Sequence, residues 1–461
     1  MPVNVLGHMY IEGFSSIPYI YPILKTGACL SSVALLKRYF GGARNKSERL
    51  MHSKVIMITG GTSGVGAAIV RDLATRGAQI ILLTQHSPSD PFLVDYIEDL
   101  RRSTKNQLIY AEQVDLSNLH SIRVFATKWV DNAPPRRLDM VVLCAGSMAV
   151  SDSTRRLTVD RLNWEWQVNY LANFHLLSIL SPALRAQPPD RDVRVVFSTC
   201  ASYIGAELDL DRLDETTTTN TPVTRRTASS SSSSSKGQKK PPRPQVPNPS
   251  SSKPLNMYST SKLALMIFAH SFQQHLTSHS RPDKQPPNTR VLLVDPGLCR
   301  TPGTRAWLTR GSLWGLLVYL LTWPLWWLVL KSAEQGAQSY LMAVMEAGFS
   351  AVAGGVDGLG VGVGVGGEEW GGTGRVGVAG RKVVKECAER EVLRGEVGDG
   401  EVARRLWEFS ERQIERREKE GAVRRAVEKK EREKQEKRQE QGQQKPSTKK
   451  NENENEKKKT K

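Results

Sequence analysis

Tyr258 and Lys262 stand four residues apart in Tyr258-Ser259-Thr260-Ser261-Lys262, a spacing that puts both side chains on one face of a helix. A free phenol has a pKa near 10 and exchanges protons poorly at neutral pH. A lysine ammonium beside it favours the phenolate, and bringing the phenol to the working range corresponds to roughly 4 kcal/mol of differential stabilisation. Such a pair could hand a proton to a developing oxyanion or take one from an alcohol. Taken alone, the spacing is that of an ordinary helix surface. A second stretch changes its weight. Thr59-Gly60-Gly61-Thr62-Ser63-Gly64-Val65-Gly66 lies between an apolar β-forming run and a helical run. Glycines there let the backbone turn tightly and approach a pyrophosphate, whose charge meets the NH groups opening the helix. Gly60, Thr62, Ser63, Gly64, Val65 and Gly66 are therefore candidate dinucleotide-binding residues. The competing reading is a tight strand-to-helix turn with no ligand.

The elements that must position these residues repeat along the chain. KVIMITG and AQIILLT flank the helical AAIVRDLATRG, and strand-like runs recur at QLIYAEQVD, LDMVVLCAG, RVVFSTC and RVLLVDPG. Strands alternating with helices at this spacing predict an α/β fold, a Rossmann-type doubly wound parallel sheet in a single domain. The domain is expected over residues 51–418. Ahead of it lies an N-terminal extension, 1–50. Residues 215–254 carry seven consecutive serines at 229–235 among Thr, Pro and Lys and form an insertion too polar to order itself. Residues 353–380 form a Gly-rich loop, and 419–461 a charged tail to which no fold is assigned.

Glycine turn and YxxxK together resemble the short-chain dehydrogenase/reductase family. Lys331-Ser332-Ala333-Glu334-Gln335-Gly336-Ala337-Gln338 and Leu406-Trp407-Glu408 are similar to its retinol-dehydrogenase branch. The resemblance covers residues 51–415 less the two insertions. It implies a nicotinamide-dependent oxidoreductase interconverting a carbonyl and an alcohol, with Tyr258 as acid/base. Lys262 would also hold the nicotinamide ribose, and Asn169, in Val168-Asn169-Tyr170, would anchor a water in the proton path. Asp115 and Leu116 resemble the pair touching adenine. Ala145 and Gly146 would give close backbone approach, although the family's NNAG reads Leu143-Cys144-Ala145-Gly146 here. Pro296, Gly297 and Thr301 resemble the loop over the nicotinamide. The family also needs a hydroxyl after the fifth strand. Counting back from Gly205 selects Thr199, with Ser198 close enough to substitute; counting forward from Arg194 selects Cys200, a poor donor. At the end of the second strand stand Leu83, Thr84, Gln85 and His86, with no acid to repel a 2′-phosphate. NADP(H) is thus favoured over NAD(H), without a basic residue to decide it.

Two segments could meet a lipid surface. Ser312–Leu330 is uncharged for nineteen residues, is divided by Pro324 and holds Trp314, Trp323, Trp326 and Trp327. It is expected to dip into one leaflet, since tryptophan prefers the membrane interface. Ile17–Leu36 is less apolar and contains Lys25. An apolar lid after Pro296-Gly297 suggests a lipophilic substrate: a sterol, a retinoid, or a long-chain ketone or aldehyde. The expected setting is a membrane or lipid-droplet surface facing the cytosol, at the endoplasmic reticulum or a droplet, with a homodimer left open. The net charge of +18 owes much to the tail. No aromatic residue follows Phe409 to stack on bases, so no nucleic acid is expected. Five cysteines without CxxC spacing fit a reducing compartment and offer no metal set. The rival reading is a non-catalytic dinucleotide-binding membrane scaffold of the same fold.

Overall fold

The computed structural model describes residues 20–148, 157–218, 256–279, 281, 283–349 and 382–443. The insertion at 215–254 and the Gly-rich 353–380 fall almost wholly outside these, as do residues 1–19 and the chain end beyond 443.

Six short apolar runs become the parallel strands β1 (Val55–Thr59), β2 (Gln79–Thr84), β3 (Ile109–Gln113), β4 (Met140–Leu143), β5 (Val193–Ser198) and β6 (Thr289–Asp295). The sheet order is β3-β2-β1-β4-β5-β6, extended by β7 (Lys382–Lys385) and β8 (Ala388–Glu391), with β8 antiparallel. Crossing from β3 to β4 reverses the winding, and strand ends on either side of such a reversal leave a crevice for a ligand. The doubly wound sheet is as expected. The last two strands were not foreseen, because four-residue pieces with alternating charge carry no distinctive apolar run.

Parallel strands covered on both faces are apolar throughout, which is why these runs read as continuous rather than alternating. Ile56, Ile58, Val142 and Val196 pack on one face, covered by α2 (Gly64–Thr75) and α12 (Ala333–Met345) in chain-order numbering. Met57, Val141, Val195 and Leu293 face the other way. They are covered by α4 (Leu119–Val130), α6 (Ala172–Arg185) and α8 (Met257–Ser278). The remaining helices are α1 (Ile20–Phe40), α3 (Pro91–Thr104), α5 (Trp164–Trp166), α7 (Leu210–Thr218), α9 (Pro302–Thr309), α10 (Leu313–Leu321) and α11 (Trp323–Val329).

The charged tail is a correction. A final helix, α13, runs from Gly400 to Gln443, straight through the boundary expected at 418. Its first turns belong to the core: Leu406 and Phe409 are buried, and the Trp407 ring lies 5.1 Å from that of Phe174. Tyr170 pairs with Ser410 at 2.7 Å, and Trp166 Nε1 donates to Gln413 Oε1 at 2.8 Å. His175 reaches Glu418 at 3.3 Å. Propagation adds one hydrogen bond per residue once such a nucleus exists, so a sequence with no apolar face continues as helix.

Candidate active site

The glycine turn is built for close approach. Gly60 has φ +68°, and a Cβ there would meet the Cα and N of Ala145 at 2.9 Å. A Cβ on Gly66 would fall 2.1 Å from the Gly60 carbonyl oxygen. Thr59 Oγ1 accepts from Ala145 N at 3.2 Å, so the ends of β1 and β4 are fastened together. Thr62 is half-buried and Ser63 exposed, and Ser63 starts α2 without using its hydroxyl as a cap. Gly64 (φ +58°) faces Thr301, whose Cγ2 would be 3.2 Å from an added Cβ. Val65 lies against the Gly336 position. The cradle is bare backbone with an unsatisfied helix start, which fits a pyrophosphate. Gly66→Ala is expected to weaken NADPH binding more than tenfold and to cost about 1–3 kcal/mol by overpacking. Gly205→Ala, where nothing lies within 4 Å, is the neutral control in the same fluorescence titration and melt.

The other cofactor candidates lie around this cradle. Asp115 is drawn into its own turn, accepting from Ser117 N at 2.8 Å and Ser117 Oγ at 2.7 Å, with Leu116 half-buried beside it. Gln85 and His86 are exposed past the end of β2. An acid does come near there: Asp90 Oδ2 is 3.2 Å from His86 Nδ1, while its Oδ1 caps α3 by accepting from Phe92 N at 3.0 Å. Five residues of turn separate it from the strand end, so strand position alone could not place it. After β6, Gly297 (φ +75°) donates its NH to Asp295 Oδ1 at 2.8 Å, turning the Pro296-Gly297 loop. Thr301 caps α9 through Thr304 N. This brings the loop against the glycine turn.

The proton-transfer centre forms where the start of α8 meets the end of β5. Asn256 caps the helix, accepting from Ser259 N at 3.3 Å. Lys262 is buried and donates from Nζ to the Ser198 carbonyl at 3.0 Å. Its Nζ is 5.9 Å from the Tyr258 ring centroid. A Cβ on Gly146 would stand 3.5 Å from both Lys262 Nζ and Asn169 Oδ1, so these three positions converge. Asn169 sits in a π-helical segment, Gln167–Leu171, a local widening frequent at functional sites. Its side chain holds the loop after β4: Oδ1 accepts from Ser147 N at 2.7 Å and Nδ2 donates to Ser147 O at 2.9 Å. A third bond goes to Ser261 Oγ at 3.2 Å.

Of the three residues weighed for the hydroxyl, Cys200 faces the phenol. Its Sγ is 3.3 Å from Tyr258 Oη and 2.9 Å from Ser202 Oγ. Thr199, the first choice, is corrected: it is buried, its NH bonds Val294 O at 2.8 Å, and its Oγ1 has no hydrogen-bond partner among the described residues. Ser198 is turned the other way, accepting from Tyr340 Oη at 2.6 Å. β5 ends at Ser198, so the strand's alternation stops there and a count along it does not fix which of the next side chains turns to the phenol. The forward count from Arg194 lands on the residue that lies beside Tyr258 Oη.

The electrostatics also differ from expectation. Burial, then the neighbouring Cys200, Glu165 and Asp295, hold the Tyr258 phenol above its ordinary value. Burial holds the Lys262 ammonium below its own, against the pull of Cys200, Cys144 and Asp295. Lysine aimed at a carbonyl does little to acidify the phenol, so in this geometry Tyr258 is a protonated donor. Cys144, where the resemblance led one to expect asparagine, is pushed up to about 12 by burial, with a hydrogen bond to Tyr340 opposing. Tyr340 and Glu165 escaped the sequence reading because each is brought to the site by packing from a distant segment.

A glycine cradle at the winding reversal, with half-buried Tyr258 and buried Lys262 across it, defines a dinucleotide-dependent oxidoreductase of the Rossmann type. The short chain dehydrogenase family profile matches residues 54–200. The chain is 36% identical to the uncharacterized oxidoreductase pbr1 of Schizosaccharomyces pombe, over 91% of this chain and 97% of that one. It is 31% identical to the uncharacterized oxidoreductase YNL181W of Saccharomyces cerevisiae, over 93% and 96% respectively. Human retinol dehydrogenase 13 is 26% identical over 71% of this chain and 83% of its own. The chain belongs to the short chain dehydrogenase family, in its retinol-dehydrogenase-like branch, and is a nicotinamide-dependent enzyme.

Proposed function

We propose that the chain reduces a lipophilic carbonyl, or oxidises the matching alcohol, at a membrane or lipid-droplet surface facing the cytosol. The observation carrying this is the half-buried Tyr258 hydroxyl, flanked by Cys200 and followed one turn on by buried Lys262, at the end of the sheet where the glycine turn opens. The bound nicotinamide supplies or receives hydride. Tyr258 donates its proton to the substrate oxygen, and Cys200 with Ser202 behind it orients that oxygen. Lys262 stays anchored on the Ser198 carbonyl, where it is placed to hold the nicotinamide ribose. Asn169 keeps the loop after β4 in register through Ser147.

A lipophilic substrate is supported by the segment that follows the Pro296-Gly297 loop. Leu313, Trp314, Leu317, Val318 and Leu321 on α10 are all exposed, an apolar surface beside the route to the site. NADP(H) over NAD(H) is supported by exposed Gln85 and His86, with Asp90 folded back onto Phe92 N. The test is a panel of sterols, retinoids and long-chain ketones or aldehydes in detergent, with NADPH and NADH. Turnover faster with NADPH and rising with chain length is the expected result. Cofactor binding with no turnover across the panel would defeat the proposal.

A further inference from the structure

α1 is an apolar helix with almost nothing packed on it. Residues 21–36 are exposed, including Tyr21, Ile23, Leu24, Leu30, Leu35 and Leu36. Apolar positions that run all round a helix belong in a core or in lipid. α1 is not free-standing, however. Lys37, near its end, donates from Nζ to the carbonyls of Trp327 and Leu330 and lies 4.9 Å from the Trp327 ring. That ties α1 to α11 and, through the break at Thr322, to α10. α10 and α11 are nine and seven residues long. At 1.5 Å per residue each is about 14 Å or less, against a hydrocarbon core of about 30 Å. Among the described residues, no helix is long and apolar enough to cross a membrane.

Within the two segments that carry this surface the charges are of one sign, the nearest acid, Glu386, coming from β7–β8 to pair with Lys331 at 2.9 Å. No Asp or Glu occurs between Glu12 and Glu48, nor between Asp295 and Glu334. Lys25, Arg38, Arg44, Lys46, Arg305 and Arg310 are exposed, and none makes an ion pair among the described residues. Lys37 and Arg300 are close enough that, after burial, the Arg300 charge helps hold the Lys37 ammonium below its ordinary range. Arg300 Nη1 is buried there without a hydrogen-bond partner among the described residues. Two segments far apart in sequence thus combine apolar exposure with an acid-free cationic border.

We infer that α1, α10 and α11 form one docking face for a leaflet of anionic phospholipid. The helices lie in the interface, tryptophans at headgroup depth, with the six cations and the Lys37–Arg300 pair over lipid phosphates. This deepens the surface reading above by naming the lipid charge and the N-terminal helix as half of the contact.

The test is flotation of the full chain with vesicles of phosphatidylcholine alone, or with about 30% phosphatidylserine, a cytosolic-leaflet composition. Binding is expected to be stronger on the anionic vesicles and weakened by salt. Lys25→Glu with Arg310→Glu should cut anionic-vesicle binding at least about 25-fold, at about fivefold per cation, while sparing the neutral vesicles. Trp314→Glu with Leu321→Glu should abolish binding to both. These side chains are exposed, and unchanged melting curves will separate lost docking from lost fold. Equal binding of wild type and both variants would overturn the inference. So would a dimer in sedimentation that Leu321→Glu dissociates, with no vesicle binding by the wild type. Turnover of a water-soluble carbonyl without vesicles is read in parallel. Its loss would count against the proposed reaction, not the docking face.

Discussion

Tyr258→Phe is expected to lower kcat for carbonyl reduction by about 10²- to 10⁴-fold while leaving cofactor affinity nearly unchanged. The substitution deletes one oxygen and keeps the ring, so the packing at the start of α8 survives. What disappears is the hydroxyl beside Cys200 Sγ at 3.3 Å, the donor best placed to protonate a substrate oxygen. The pH profile adds an independent reading. A phenol held above its ordinary value stays protonated as pH rises, so reduction should be flat from about pH 6 to about pH 9 in its dependence on Tyr258. Alcohol oxidation needs the deprotonated form and should climb over the same range. Cys200→Ser, which places a better donor at the same point, should raise kcat, and Cys200→Ala should lower it. Single-turnover rates and a tryptophan-to-NADPH binding titration separate these effects. A Phe variant with wild-type kcat would move the proton source away from Tyr258.

The second large effect concerns stability. Arg194→Met is expected to destabilise the domain by about 3–5 kcal/mol, a drop in Tm of about 5–15 °C. Arg194 is fully buried on β5, and its guanidinium grips Asp192 Oδ2 at 2.7 Å and 3.0 Å. It also donates to the carbonyls of Ala343 at 2.8 Å and Val344 at 3.1 Å, closing the end of α12. Methionine fills the volume but leaves two buried carbonyls open and removes the Asp192 partner nearest its Oδ2 besides Arg49, which stays at 2.7 Å. Burial pushes the Asp192 carboxyl up, yet Arg194 and Arg49 together hold it below its ordinary value. A carboxyl depressed in the folded state contributes stability above its unfolded value near 3.9, and loses it as pH falls through the lower folded value. The gap between wild type and variant should therefore narrow in acid, which thermal melts at neutral pH and near pH 3 will measure. A Tm within a degree or two of wild type would show that the cluster contributes little. Because α12 also brings Tyr340 to Ser198, loosening it should disturb the anchor on which Lys262 rests.

The six strands around the cofactor cradle were legible because each is a short run of apolar β-formers closed by glycine or a polar turn, a local pattern that burial on both faces preserves. Gly60, Gly64 and Gly66 were legible for a related reason: backbone turning inside one residue of space leaves only glycine. The pair Tyr258 and Lys262 was legible through helix geometry. β7 and β8 were not, since β7 is fixed by pairing with β6 and β8 by pairing with β7, not by their own residues. The helix continuing to Gln443 was not either, since it is nucleated by Leu406, Phe409 and Gln413 reaching the core.

The linear chain by itself determined the layer architecture, the phosphate turn and the two residues able to exchange a proton, because periodicity and backbone sterics act over a few neighbours. Tertiary structure alone decided which side chain after β5 meets the phenol, which way Lys262 aims its ammonium, and that Asp90 folds back toward His86. Those outcomes depend on which atoms arrive from segments tens to hundreds of residues away, and on how much water their arrival excludes. Burial pushes the Tyr258 phenol up and the Lys262 ammonium down from their ordinary values, and burial is a property of the assembled core.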